Sequence, residues 1–246
     1  MRIIAHYLFM ALCCVLIFSC QKDADPNGPA TVKNKIKTYT EELTTPSGTE
    51  TQTFKAVYDN NDRLLTLESV TIPGNKFVYQ YPNDKQYTMD LYDAGSVTLH
   101  VTNFINSSVS MLDSSFQYND TNDSSTEKYI YNSSKQLVKK FEYEYSKVTG
   151  SVLDNVVDYT YDNNGNLIKE KDYYGESTFK YDTVIPNTLY QGLVYVNNLK
   201  QLPTSEITSG GETIDHTYTF DSEKRVISDK LVSSDGTVLK RTYTYY

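Results

Sequence analysis

A ten-residue pattern that recurs along this chain limits the folds open to it more than any other feature of the sequence. The pattern reads aromatic, any residue, aromatic, Asp or Asn, three turn-forming residues, one polar residue and two aliphatic residues. Its copies are residues 159–168, residues 218–227, residues 129–138, where Asn132 replaces Asp, and the shorter residues 57–65, which keep one aromatic of the pair.

The spacing within one copy determines where its side chains point on a strand and where the chain turns. Tyr159 and Tyr161 lie two residues apart, so on a β-strand both rings point to the same face. Asp162 then opens a turn, because its carboxylate can accept hydrogen bonds from the backbone N–H groups ahead of it. Gly165 can adopt the positive φ that closes such a turn, and Leu167 begins the returning strand. Each copy therefore predicts one β-hairpin.

The other copies differ at the position of Gly165. They carry Asp62, Lys135 or Lys224 there, and a non-glycine residue in the left-handed conformation costs about 1 to 2 kcal/mol. We therefore expect Gly165 to mark the best-formed turn.

Further aromatic alternation fills most of the chain between these copies, as in residues 77–81, 116–119, 141–145, 179–182 and 243–246. Thr, Gln, Glu or Lys separates the rings, which predicts antiparallel sheet with one aromatic face and one wet face. Strand-and-turn units of this length predict roughly 14 to 18 strands in a single domain from residue 36 to residue 246. A sheet of more than about ten strands curls or closes. The expected fold is all-β, an antiparallel meander of Tyr-rich hairpins forming one large curled sheet, a half-barrel or a barrel-like shell.

The first 19 residues have the features of an export signal. Arg2 supplies the positive charge, and residues 3–18 are apolar apart from one histidine, which is short for a membrane span. Residues 16–20 resemble the bacterial lipobox, in which a small residue precedes a cysteine that is acylated after cleavage, although Phe18 is bulkier than the usual residue there. We therefore expect a lipoprotein signal peptide at 1–19 and lipidation of Cys20. The alternative is an ordinary secretory signal cleaved elsewhere.

The other two cysteines agree with this interpretation. Cys13 and Cys14 lie inside the apolar segment and would leave with it, while Cys20 would be consumed by the lipid. The mature domain then has no disulfide, no cysteine nucleophile and no thiolate ligand for a metal.

Residues 20–35 form a polar segment without apolar periodicity, which predicts a flexible tether behind the lipidated Cys20. Such a tether spans on the order of 20 Å. Asp23 and Asp25 resemble signals that send some lipoproteins to the outer cell surface. The expected location is the bacterial outer membrane, reached through the N-terminal lipid anchor, with the domain facing the periplasm or the cell exterior.

The repeats resemble the tyrosine-aspartate repeats of the YD or RHS type, whose core reads Tyr-x-Tyr-Asp-x-x-Gly-Arg-Leu. Residues 159–168 carry that core with Asn166 where Arg is usual, and the other copies lack the glycine. With its lipobox, the whole chain resembles bacterial envelope lipoproteins that carry degenerate YD-like repeats. This resemblance implies a curled, barrel-like or half-barrel sheet and no established activity. RHS shells that enclose toxins are far longer, so encapsulation is not carried over.

Charge and motifs exclude several functions. The chain has 23 basic and 31 acidic residues, a net charge of −8, and no basic run, so nucleic acid is not an expected partner. His100 and His216 are far apart in sequence without the spacing or carboxylate partners of a zinc site, and we expect both on strand surfaces. No serine-hydrolase turn, Walker loop or dinucleotide fingerprint occurs. We expect no catalytic residue, no metal site and no cofactor.

Three functions remain open. The leading hypothesis is a membrane-anchored, non-catalytic lipoprotein with a binding or structural role, engaging a glycan or an envelope protein. The 23 tyrosines could line a sugar-binding groove, because a flat ring with a polar tip stacks on a pyranose, or they could fill the inner face of the sheet. The alternatives are a glycan-processing enzyme, using pairs such as Asp158 with Asp162 or Glu142 with Glu144, and a small outer-membrane β-barrel ending in the aromatic Tyr246.

Overall fold

The computed structural model of the protein describes residues 35–106, 111–119, 124–146, 150–182, 185, 187, 189 and 201–246. Within these residues the chain forms sixteen β-strands. They are β1 (Ile36–Thr45), β2 (Gly48–Tyr58), β3 (Leu64–Ser69), β4 (Lys76–Asn83), β5 (Gln86–Asp93), β6 (Ser96–Asn106), β7 (Met111–Asn119), β8 (Ser124–Tyr131), β9 (Leu137–Ser146), β10 (Gly150–Tyr161), β11 (Leu167–Lys171), β12 (Glu176–Lys180), β13 (Ser205–Ile207), β14 (Thr213–Phe220), β15 (Val226–Ser233) and β16 (Val238–Tyr245).

The strands form one closed antiparallel barrel. Each strand pairs with its neighbours in sequence, and β1 pairs with β16 in a register that sets Tyr39 opposite Tyr243. The predicted all-β antiparallel meander is confirmed. The sequence left a half-barrel and a barrel open, and the pairing of the first strand with the last gives the full barrel. No helix long and apolar enough to cross a membrane occurs in the part of the chain that the structure describes.

All four repeat copies form hairpin turns, which join β2 to β3, β8 to β9, β10 to β11 and β14 to β15. In the fullest copy, Asp162 Oδ1 accepts hydrogen bonds from the backbone N–H groups of Asn164 and Asn166, at 2.9 and 2.8 Å. Asp59, Asn132 and Asp221 accept the same two backbone hydrogen bonds in their turns. The predicted role of the Asp or Asn position is confirmed.

The fourth residue of each turn adopts the left-handed conformation. The φ angle is 86° at Gly165, 63° at Asp62, 61° at Lys135 and 62° at Lys224. Three of the four turns therefore place a side chain where glycine is favoured. The strand that enters each of these turns also carries a register shift just before it, so the turns share one geometry.

Both chain ends of the barrel and all four repeat turns lie at the same end, because connections in an antiparallel meander alternate between the two ends. The β12 to β13 connection also begins at this end. Two of its residues, Leu189 and Leu202, are buried in the same apolar cluster as the strand residues inside the barrel. The signal peptide (residues 1–19), Cys20 and all of the tether except Lys35 lie outside the described residues, so they stay predictions.

The apolar core lies inside the barrel, on the inner face of strands β1 to β6 and β14 to β16 and at the start of β7. Phe54 and Phe77 are almost completely buried there, and Tyr39 and Tyr79 lie among them. In the fullest repeat, Tyr159 and Tyr161 are half-buried while Thr160 between them is exposed, as the two-residue spacing predicts.

On β7 and β9 the expected orientation of the rings is wrong. Phe116 and Tyr118 on β7 point outward and are 39 % and 45 % exposed. Ser115, which precedes Phe116 in the strand, points into the barrel and is buried. Tyr145 on β9 is also exposed. The physical reason lies on the inner wall, where these two strands contribute hydrogen-bonded polar and ionised side chains instead of rings.

Candidate functional site

A fully buried ion pair stands on the inner wall between β15 and β16. Arg241 Nε donates to both carboxylate oxygens of Asp229, at 3.1 and 2.9 Å, and the Tyr243 hydroxyl donates to Asp229 Oδ1 at 2.8 Å. Burial alone would lower the pKa of Arg241, but Tyr243 and Asp229 raise it, so the guanidinium stays charged. Burial raises the pKa of Glu41, which lies opposite Arg241 in the β1 and β16 register. This cluster satisfies its own charges and serves the fold.

A second polar cluster lines the inner wall of β8, β9 and β10 and keeps partial solvent access. Lys140 forms ion pairs with Glu142 and with Glu127, the latter with Nζ 3.6 Å from Oε1. Asn155 Nδ2 donates to Glu142 at 2.9 Å, and the Tyr129 hydroxyl donates to Glu127. Burial opposes the charge on Lys140, but the two carboxylates raise its pKa. The single lysine therefore holds the two carboxylates together.

Further carboxylates face the same part of the lumen from β11 and β13. Burial raises the pKa of Glu170 and of Glu206. The inner wall from β8 to β13 is therefore rich in acidic groups, in contrast to the inner wall of β2 to β5, where apolar and aromatic side chains are buried.

The acidic pairs considered as glycosidase candidates are placed differently from one another. Asp158 points outward and forms a 2.5 Å ion pair with Lys139, while Asp162 belongs to the repeat turn. Glu142 and Glu144 share the inner face of β9, and Lys140 neutralises Glu142. Burial alone would raise the pKa of Glu142. The hydrogen bond and charge of Lys140 and the hydrogen bond from the Asn155 amide outweigh burial and lower this pKa. This arrangement favours an ionised structural carboxylate over a proton donor.

The two histidines are placed differently from each other. His100 lies on the outer strand surface, as expected, but it has a carboxylate partner, since pairing of β5 with β6 sets Asp90 opposite it, and its Nδ1 contacts Asp90 Oδ1. Its Nε2 lies 3.2 Å from Thr102 Oγ1. This outward Asp–His–Thr array lies in the middle of the sheet, where backbone N–H groups are used in strand pairing, so it has no neighbouring pair of free donors for an oxyanion.

His216 lies on the inner wall, not on the strand surface, and burial lowers its pKa to about 4. Within the described ranges, no group of three His, Cys, Asp or Glu side chains is arranged to hold a metal ion.

The inner tyrosine rings are used by the fold. Several of their hydroxyls donate to backbone carbonyls near the starts of neighbouring strands. The bonds run from Tyr81 to Leu64, Tyr161 to Leu137, Tyr181 to Leu167, Tyr218 to Pro203 and Tyr245 to Val226. A sugar-binding groove built from these inner rings is therefore not favoured.

Most of the outer wall is hydrophilic. Threonine hydroxyls pair across strands, as in Thr38 with Thr244 at 2.6 Å and Thr40 with Thr53 at 3.0 Å. Exposed charged side chains stand on this wall around much of the barrel. They include Glu42, Lys55, Glu68, Lys128, Asp158, Asp215, Lys230 and Lys240.

The outer wall of β7, β8 and β9 is different, because two rows of rings stand on either side of small hydroxyl side chains. We call this surface the outer aromatic groove. Its residues are Phe116 and Tyr118 on β7, Ser124 and Thr126 on β8, and Phe141, Tyr143 and Tyr145 on β9. Sequence reasoning missed it by placing all rings on one face. The residues between the rings gave no signal of the inversion, because Glu142 and Glu144 on β9 and Gln117 on β7 are the polar side chains expected opposite an inward aromatic face.

Comparison with known proteins places the fold. No family model and no curated protein matches the sequence. Among solved structures, the chain is similar to a porin-like protein from Bacteroides uniformis, with a TM-score of 0.64 and 15 % identity over 87 % of this chain and 98 % of that one. It is also similar to a porin-like protein from Bacteroides vulgatus, with a TM-score of 0.51 and 13 % identity over 87 % of this chain and 99 % of that one. The chain thus has a sixteen-stranded, porin-like β-barrel fold.

Proposed function

We propose that this chain is a non-catalytic lipoprotein of the bacterial outer membrane, whose barrel lies in water and is held at the membrane by lipid on Cys20. The observation that carries the proposal is the outer wall. Lys55 on β2, Lys128 on β8 and Thr217 on β14 are exposed on strands spaced around the barrel, and Lys128 and Thr217 lie at the middle of their strands. Membrane-spanning barrels instead carry an outward apolar band about 25 Å tall.

The free-energy cost of placing charged side chains in lipid favours an outer wall that faces water. A lysine or arginine on the lipid face at the middle of a bilayer costs about 2 to 4 kcal/mol. The exposed lysines of the outer wall include Lys55, Lys128, Lys230 and Lys240, and two of them, Lys230 and Lys240, are direct cross-strand partners. Together with the outward carboxylates, these side chains are compatible with a wet wall and costly in hydrocarbon.

The inner wall supports a packed barrel. Phe54, Phe77 and Leu67 are buried in one apolar cluster with Leu189 from the β12 to β13 connection. A wide aqueous passage lined by polar side chains, as in a porin, is not what these residues favour on that side of the barrel. A binding or structural role fits better.

The N-terminal geometry fits a tether. β1 begins at Ile36, so about 15 residues separate it from Cys20, enough for roughly 20 Å of flexible chain. Two acyl chains on the cysteine would hold the protein durably at a membrane.

A small outer-membrane β-barrel is the second candidate. Its support is the even number of strands, the complete closure and the porin-like neighbours, which agree better with this candidate than with a glycan-binding lipoprotein. The two candidates differ in what surrounds the outer wall. In the first it is water and in the second it is lipid.

Replacing residues 1–20 by an ordinary cleavable secretion signal separates the two. We expect the resulting chain to appear in the soluble periplasmic fraction without detergent, whereas the natural chain fractionates with membranes. Labelling with a fatty-acid analogue should mark the natural chain and not a Cys20→Ser variant. A chain that stays in the membrane fraction without its lipid would reject the proposal in favour of the spanning barrel.

A further inference from the structure

We propose that the outer aromatic groove binds an extended glycan that carries an acidic sugar. The inference rests on the proposed function, since the groove meets a soluble ligand only if the outer wall faces water. Its starting point is the inverted alternation on β7 and β9, where rings face out and polar side chains face in. The inner cluster around Lys140 accounts for the polar side chains that face in, but it does not account for rings at the outward positions, because exposed rings bury no apolar area in the core.

The shape of the groove suits one saccharide chain. The two ring rows stand on strands separated by one intervening strand, which sets them about 10 Å apart. From Phe141 to Tyr145 the row on β9 runs about 14 Å. Phe116 and Tyr118 have ring centres 6.1 Å apart and are tilted by 42° to each other, so they offer two separate ring faces. Sugar rings present apolar faces that stack on aromatic rings.

The floor supplies hydrogen-bonding groups and the right charge. Ser124 and Thr126 are half-buried on β8 between the ring rows, with hydroxyls that can donate to and accept from sugar hydroxyls. Lys128 follows on the same face of β8, with Nζ 5.5 Å from the centre of the Tyr143 ring. These outward positions carry no carboxylate, in a chain of net charge −8. A single lysine at one end of a hydroxyl floor favours an acidic sugar there.

Other occupants fit the groove less well. A peptide cannot add itself as a strand, because β7, β8 and β9 are each paired on both sides. A bilayer is disfavoured because polar pairs stand beside the rings on both sides, although the exposed Phe104 and Ile130 also lie on this part of the outer wall. His100 with Asp90 lies on the β5 and β6 side, and Lys139 with Asp158 lies on the β10 side. A second copy of the chain is an outcome that the experiment below distinguishes.

The test applies the full natural chain, in mild detergent, to a printed oligosaccharide array. The array pairs each uronate-containing oligosaccharide with a neutral one of the same length, and binding to the two is compared. We expect binding to acidic members, and titration with the best-bound oligosaccharide should show about tenfold weaker binding for Phe116→Ser and for Tyr145→Ser. Lys128→Gln should remove the preference for acidic over neutral oligosaccharides while leaving stacking intact. The matched control is Tyr173→Ser with Tyr174→Ser, which removes two exposed rings from the β11 to β12 turn and should leave binding unchanged.

Three results would overturn the proposal. They are an array without binding, binding that neither ring variant weakens, and ring-dependent association with phosphatidylglycerol vesicles or with a second copy in sedimentation. The change of signal peptide described above tests the proposed function separately. A barrel that stays in the membrane rejects the aqueous location, whereas a released barrel that binds no glycan rejects only the groove.

Discussion

The guanidinium carbon of Arg63 lies 4.4 Å from the centre of the Tyr81 ring, so the charged residue of one hairpin turn covers a ring of the neighbouring strand. The hydroxyl of that ring donates to the carbonyl of Leu64, and Arg63 Nε forms a 2.7 Å ion pair with Asp59. Arg225 covers Tyr245 in the same way at 4.7 Å. A turn followed by a tyrosine on the next strand is therefore the repeating unit, and two of the four copies add an arginine that covers the ring.

The first expectation concerns the left-handed position of the turn. Gly165→Val should lower the melting temperature by roughly 2 to 8 °C, because a β-branched residue at a φ of 86° costs about 1 to 2 kcal/mol. Lys224→Gly should raise the melting temperature or leave it unchanged, since lysine already adopts a φ of 62° there. Calorimetry on both variants checks this, and the reverse order of stability would reject the turn assignment.

The tyrosine hydroxyls at the rim should each contribute to stability. Tyr161→Phe and Tyr181→Phe leave the carbonyls of Leu137 and Leu167 without these 2.8 Å hydrogen bonds, and each change should cost about 0.5 to 1.5 kcal/mol in denaturant unfolding. Tyr118→Phe on the outer wall is the control and should change stability by less than about 0.5 kcal/mol. Equal effects at the rim and at the control position would contradict this role.

The buried ion pair should be intolerant of losing one partner. Arg241→Met removes the cationic partner of Asp229, which is only 1 % exposed, and we expect a loss of about 3 to 5 kcal/mol. The double variant Asp229→Leu with Arg241→Met should recover most of that loss. Lys169→Met breaks an exposed 2.8 Å pair with Glu176 and should change stability by less than about 1 kcal/mol. A single variant as stable as this control would show that the pair is not buried as described.

The turn carboxylates should make stability fall in acid. Burial alone would raise the pKa values of Asp59, Asp162 and Asp221. Backbone and side-chain hydrogen bonds outweigh this effect and lower the three pKa values. A carboxylate whose pKa is lower in the folded state stabilises the fold above its ordinary pKa, near 4, and this contribution is lost as the pH falls through the lowered value. Replacing all three with Asn should therefore flatten the decline in melting temperature below about pH 4.

We expect the triple variant to fold, because Asn132 already accepts the same backbone hydrogen bonds in the β8 to β9 turn. If the natural chain and the triple variant lose stability identically in acid, the turn carboxylates are not the groups responsible.

Local chemistry made the hairpins predictable from sequence. Each turn depends on an Asp or Asn that accepts its backbone hydrogen bonds and on a residue three positions later that adopts positive φ. Both act within five residues of chain, so the roles of Asp162 and Gly165 could be assigned without knowing the fold. Closure could not be predicted in this way, because it depends on pairing between residues such as Thr38 and Thr244, which are 206 positions apart.

The candidate groove was harder to predict for a related reason. A period of two shows that the rings of β9 share a face, but it does not say which face is inside. That choice follows from the inner cluster around Lys140, whose partners come from β8, β9 and β10. The pairing of His100 with Asp90 likewise depends on the register of β5 with β6.

Cysteine labelling probes what surrounds the outer wall. Single substitutions Lys55→Cys, Lys128→Cys and Thr217→Cys place a thiol on β2, β8 and β14, and Leu67→Cys places one inside the barrel. In cells with a permeabilised outer membrane, a charged, membrane-impermeant maleimide should label the three outward cysteines at similar rates and reach the inner one only after denaturation. Outward cysteines that stay unlabelled until the protein is extracted and denatured would mean that lipid covers the wall, and the barrel would then span the membrane.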